Sequence, residues 1–90
     1  MLKQGITIGK FMPLHKGHEH MIIFAAGMLY KLIVVVSGKE TDDIPLSVRF
    51  GWVVDFVDRE KLSNVHVAYH IDNSPEPIEV DEDGTVLDEE

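Results

Sequence analysis

Five consecutive apolar residues, Leu32-Ile33-Val34-Val35-Val36, constrain this 90-residue chain more than any other feature. A strand with one wet face alternates apolar and polar residues. An unbroken run of this kind suits a strand covered on both faces, as in a parallel sheet. Parallel neighbours need long crossovers, usually helical, so helices are expected on either side of the run in sequence.

The flanking segments meet that demand. Gly5-Ile6-Thr7-Ile8-Gly9 is a β-branched run bounded by glycines and reads as a strand. A turn-like segment containing Pro13 follows from Lys10 to Leu14, and from about Lys16 the pattern becomes helical. Met21, Phe24, Ala25 and Met28 recur at i, i+3, i+4 and i+7, the spacing of a core-facing stripe. After the central run, Gly38 opens a polar loop through Asp43. Ser47 is the expected N-cap of a second helix whose inward stripe is Phe50, Val53, Val54 and Val57. Lys61 to Asn64 break that helix, and Val65-His66-Val67-Ala68-Tyr69-His70-Ile71 reads as a third strand. The order β-α-β-α-β, with connections long enough for right-handed crossovers, predicts an α/β fold. The expected architecture is the first half of a Rossmann-like, doubly wound parallel sheet.

The expected division is residues 1–74 for that half-domain and 75–90 for an acidic hairpin or tail. Asn73-Ser74-Pro75-Glu76-Pro77 marks the break, and beyond it Ile78-Glu79-Val80 and Thr85-Val86-Leu87 flank Asp83-Gly84, a strong hairpin-turn signal. Net charge is −8, and residues 76–90 hold eight acids and no base, so the body of the chain is neutral. No basic patch is visible, which argues against a nucleic-acid partner. The absence of cysteine excludes a disulfide scaffold, a thiolate metal site and a cysteine nucleophile. No stretch reaches the ~18 apolar residues of a membrane span, and the N-terminus lacks the apolar run of a signal peptide, so a cytoplasmic protein is expected.

Chemistry concentrates in Gly9-Lys10-Phe11-Met12-Pro13-Leu14-His15-Lys16-Gly17-His18. A strand ends at Gly9 and a helix starts near Gly17. Backbone N–H groups of a helix N-terminus therefore lie at the carboxyl end of the first strand, where open α/β sheets bind ligands. Gly17 lets an anion approach the backbone. His15 and His18, three apart in the first turn, can aim donors at the same anion, and Lys10 and Lys16 add positive charge. The expected object is a phosphate cradle with two imidazoles and no carboxylate nucleophile. That suffices for phosphoryl or nucleotidyl transfer, where positioned donors stabilise charge developing on phosphate oxygens.

This segment resembles the G-x-F-x-P-x-H-x-G-H signature of the HxGH nucleotidyltransferase superfamily. It is most similar to nicotinamide mononucleotide adenylyltransferases, of the archaeal type and of the adenylyltransferase domain in the bifunctional bacterial enzyme that also phosphorylates ribosylnicotinamide. Leu32 to Gly38, Pro45-Leu46-Ser47-Val48-Arg49-Phe50-Gly51-Trp52 and Val65 to Ile71 are similar to the family's following elements, so the resemblance covers roughly residues 5–73. It implies transfer of AMP from ATP to nicotinamide mononucleotide, giving NAD and pyrophosphate, with Mg2+ bridging phosphate oxygens. His15 and His18 would contact the ATP phosphates and stabilise the transition state. Gly9, Lys10, Phe11 and Gly17 would lie against the nucleotide, and Arg49 and Trp52 near the mononucleotide, with a core role for Trp52 the alternative. The family's second motif, Ser/Thr-rich and ending in a phosphate-binding Arg, has no counterpart here, and neither do the last two strands of its sheet. The sequence therefore reads as the N-terminal half, either a fragment of a longer enzyme or a degenerate half-domain. A non-catalytic nucleotide-binding module is the alternative function, and a homo-oligomer stays open.

Rival readings are weaker. His18 and His20 diverge by roughly 200° on a helix, and His66 and His70 lie about 13 Å apart along a strand, so neither pair is expected to share a metal. The dinucleotide fingerprint G-x-G-x-x-G and the Walker phosphate loop are both absent. Glu79 to Gly84 with Glu90 nearly fits a calcium loop, but its first ligand is Glu rather than Asp, and Pro75 and Pro77 occupy the place of the incoming helix.

Overall fold

The computed structural model describes residues 2–72 and 78–79. Strand β1 (Leu2–Gly9) leads through a turn into helix α1 (Lys16–Met28), followed by β2 (Leu29–Gly38), α2 (Leu46–Arg59), β3 (Val65–Ile71) and a two-residue β4 (Ile78–Glu79). The sheet order is β1-β2-β3-β4. The first three strands are parallel, with Ile6 opposite Ile33 and Val34 opposite Val67, while β4 runs antiparallel to β3 and pairs Ala68 with Glu79. The expected α/β, Rossmann-like half-sheet is what the chain forms. The proposed division at 74/75, the Asp83-Gly84 turn and the calcium-like loop beyond Glu79 lie outside the described residues.

Both helices pack on one face of this sheet. Leu32, Val34 and Val36 of β2 and Val65 and Val67 of β3 alternate onto that face, where they meet Ile22 and Ala26 of α1 and Val53, Phe56 and Val57 of α2. Full burial of each such side chain is worth roughly 1.5–3 kcal/mol. On the opposite face Val35 and Ala68 are also buried, whereas Ile6 and Ile8 of the edge strand are about 60% exposed (59% and 62%). The unbroken apolar run thus reports a central strand, closed on both sides at Val34–Val36.

Two local expectations are corrected. The predicted α1 stripe meets the core only at Ala25: Met21, Phe24 and Met28 are exposed, Phe24 by 69%, and Ile22 and Ala26 are the buried residues. Residues 21–26 are all apolar, so two stripes one residue apart satisfy helical spacing equally. Ser47 is not the N-cap of α2, which is Pro45. The Glu40 carboxylate does a cap's work from the preceding loop, accepting from the Ser47 backbone N–H at 2.9 Å and from its hydroxyl at 2.8 Å. At the other end of α1, with no basic residue in the last turn, Asn64 Nδ2 donates to the carbonyls of Ala26 and Leu29 at 2.9 Å each. One amide thus satisfies orphan carbonyls and ties the helix end to the start of β3.

Candidate active site

The turn after β1 is shaped by an aromatic anchor. Phe11 adopts a positive φ of 50° and drops its ring into the core, leaving 2% exposed. Gly9 makes room for it: a Cβ there would stand 3.2 Å from the ring. The chain then enters α1 with His15 as N-cap. His15 Nδ1 accepts from the Gly17 backbone N–H at 3.2 Å, and His18 Nδ1 accepts from the His15 backbone N–H at 3.3 Å. This is a capping box built from two histidines. The two rings stack with centroids 3.8 Å apart and planes 28° off parallel, and Phe11 presents itself edge-on to His18 at 4.8 Å. Burial, and secondarily the neighbouring His15, hold the His18 imidazole below the usual histidine pKa.

Gly17 has a packing role in this turn. The space beside its α-carbon is filled by His15, whose Cε1 and Nδ1 would lie 3.1 and 3.3 Å from an added Cβ. Glycine there admits the capping imidazole, and that imidazole takes the N–H an anion was expected to meet.

Behind this turn sits a clamp. Arg49 of α2 is fully enclosed. Its Nε donates to the Ile44 carbonyl at 2.7 Å, its Nη1 to the carbonyls of Lys10 and Ser37 at 2.8 Å each, and its Nη2 to Asp42 Oδ2 at 2.6 Å. One guanidinium thereby fastens the end of β1, the end of β2 and the loop into α2, which its planar fork allows and a lysine would not. Gly38, at φ 151°, lies so close that an added Cβ would collide with Arg49 Nη2 and Asp42 Oδ2. The Lys39 amide first, and the Arg49 and Lys10 cations after it, hold the Asp42 carboxyl below the usual range against the opposing effect of burial.

The carboxyl ends of the three parallel strands are also joined at the surface. Asp72, just past β3, lies 3.5 Å from Lys10 Nζ and accepts from the Ser37 hydroxyl at 3.3 Å.

Of the residues expected to form a site, the structure gathers Gly9, Lys10, Phe11, His15, Gly17 and His18 at one strand–helix junction. Arg49 joins them from behind, through the Lys10 carbonyl. Fully enclosed, it positions the turn through that carbonyl. Trp52 is 36% exposed on α2 and takes no part in these hydrogen bonds or ring contacts among the described residues. Sequence reasoning missed Asp42, Ser37 and Asp72, whose side-chain partners Arg49, Asp72 and Lys10 lie 7, 35 and 62 positions away. It also missed a groove of about 590 Å³ beside the start of α2, lined by Leu46, Phe50, Tyr69 and Ile71 with Lys39 and Ser47 at its rim. Phe50 and Tyr69 meet edge-to-face there, 5.6 Å apart. Among the described residues no three His, Asp or Glu side chains gather to hold a metal ion, and no helix is long and apolar enough to cross a membrane.

No family model matches the chain, and no curated protein matches it. Among solved structures it is similar to a NadR protein crystallised in complex with NR, with a TM-score of 0.69 and 31% identity. The match covers 80% of this chain and 20% of that one, so the chain spans about a fifth of the length of the protein it resembles.

Proposed function

We propose that this chain carries the ATP-phosphate cradle of an adenylyltransferase that transfers AMP from ATP to nicotinamide mononucleotide, yielding NAD and pyrophosphate. The stacked His15–His18 pair at the start of α1 carries this reading, and the likeness to a NadR protein bound to NR supports its acceptor class. In such a transfer an oxygen of the acceptor phosphate attacks the α-phosphorus of ATP, and the bond from that phosphorus to the pyrophosphate oxygen breaks. Negative charge shifts onto the leaving oxygens, so donors fixed in advance do most of the work. His15, His18 and Lys10 are such donors. Phe11 and the Arg49 clamp hold them in place, and the groove lined by Phe50 and Tyr69 offers an apolar wall for the acceptor's ring. Magnesium would enter with the triphosphate and neutralise its oxygens, in keeping with a donor-rich cradle that lacks a carboxylate cluster.

The test is an amide NMR titration of the 90-residue chain with magnesium–ATP, followed by an assay for NAD formation. Shifts centred on Gly9, Lys10, His15, Gly17 and His18 are expected, with His18→Ala lowering any turnover by roughly 10²–10³-fold, the usual cost of one oxyanion donor. Turnover indifferent to His18→Ala would overturn the assignment. A second reading, a nucleotide-binding module without turnover, rests on the same stacked His15–His18 pair. It predicts the same shifts and no NAD.

A further inference from the structure

A histidine nitrogen that accepts a hydrogen bond carries no proton, and a neutral imidazole then has its single N–H on the other nitrogen. In both His15 and His18 the accepting atom is Nδ1. We propose that the double-histidine capping box locks both rings as neutral Nε2–H tautomers, so that the two histidines meet an anion as neutral donors and the box is dismantled when either ring gains a proton. The part concerning anions rests on the phosphate-cradle reading above; the tautomer lock stands without it.

The usual expectation for histidines near phosphate is the reverse, since an imidazolium attracts an anion more strongly than an imidazole does. Here an imidazolium would carry Nδ1–H toward a backbone N–H, setting donor against donor. Protonating His15 frees the Gly17 N–H, and protonating His18 frees the His15 N–H, so either event opens the first turn of α1. Rings stacked at 3.8 Å also leave no room for two positive charges without repulsion. The surrounding charges reinforce this. Lys10 lies at the end of β1, Lys16 follows His15 directly, and the Arg49 guanidinium from α2 rests on the Lys10 carbonyl. Of the nearby acids, Asp72 beyond β3 is engaged by Lys10 and Ser37, and Glu19 of α1 lies 3.8 Å from Arg59 of α2. The lowered pKa of His18 agrees with the same arrangement. Gly17 belongs to the device as well, because any side chain there would press on the His15 ring at the capping nitrogen.

Two measurements on the intact 90-residue chain test this without reference to turnover. Side-chain nitrogen NMR at pH 7.5, with exposed His20 of the same helix as internal reference, should show His15 and His18 each as a single Nε2–H tautomer. Either ring found as Nδ1–H, or protonated at that pH, overturns the lock. Amide-detected titration with sulfate, which keeps its charge across the range, should then show affinity falling by about tenfold per pH unit once below the imidazole pKa, because binding must expel a proton. Sulfate affinity that rises as pH falls, or no sulfate binding at either end of the range, overturns the neutral-donor cradle. If the tautomers are as stated and ATP yields no NAD, the adenylyltransferase reading fails and the lock survives.

Discussion

The two histidines and the one buried arginine act on the same turn by opposite means. The His15–His18 pair is exposed or half-exposed, and among the described residues its rings hydrogen-bond to backbone two or three residues away. Arg49 is fully enclosed and reaches Lys10, 39 positions away, and Ser37, 12 positions away. The first is a local device that closes the first turn of α1; the second is a long-range one that sets where the turn sits. The local cap is built from groups that can change protonation and the long-range clamp from one that cannot, since arginine stays charged throughout the accessible pH range.

Removing the clamp gives the largest expected effect on stability. Arg49→Ala leaves the Lys10, Ser37 and Ile44 carbonyls without their donor and Asp42 without its cation. Breaking a buried pair in this way costs about 3–5 kcal/mol, and we expect the lower end because Asp42 is partly solvated, with 25% of its side chain exposed. Chemical denaturation reads the loss directly. Arg49→Lys should recover little of it, because one ammonium cannot serve three elements in a plane. Full recovery by lysine would show that charge, not the fork, holds the turn.

Gly38→Ala probes the same clamp more gently. The added methyl would collide with Arg49 Nη2 and Asp42 Oδ2 at a backbone φ of 151°, so both strain and displacement oppose it. We expect a loss of about 2 kcal/mol, measured as a shift in denaturation midpoint at unchanged slope. A neutral result would mean that the β2 end can shift without disturbing Arg49, and the contrast between a rigid clamp and an adaptable cap would weaken.

The same contrast explains what could be read in advance. Strand β3 and the start of α1 at Lys16 follow from local patterns: a β-branched run, and a capping segment followed by apolar residues. The grouping of His15, Gly17 and His18 at the helix start was legible because their partners lie within a few positions. The Arg49 network was not, because nothing local in Lys10, Ser37 or Asp42 announces a shared partner on α2. The inward face of α1 was illegible for another reason: six successive apolar residues erase the periodicity that would have distinguished Ile22 from Met21. Ser47 misled because its position matched a cap, while Glu40, seven residues upstream, holds both its backbone N–H and its hydroxyl.

The smallest expected effect is a dependence of stability on pH, and its sign follows from the cap. The His18 imidazole is held below the ordinary histidine pKa in the folded chain, so at mildly acidic pH the unfolded chain binds more protons than the folded one. Stability then rises with pH in that window. His18's contribution is fully present above the unfolded value of about 6.5 and is lost as pH falls through the lower folded value. The loss should be modest, since one capping interaction is worth about 1 kcal/mol. Denaturation midpoints between pH 5 and 7.5 measure it, and His18→Gln isolates it. Glutamine at the third helical position still offers an oxygen to the His15 N–H, as capping boxes commonly do, but it cannot take up a proton. The variant should therefore stay close to the parent at pH 7.5 and surpass it at pH 5. A variant whose pH profile parallels the parent's would assign the acid sensitivity to another group and sever the link between cap and protonation on which the comparison with Arg49 depends.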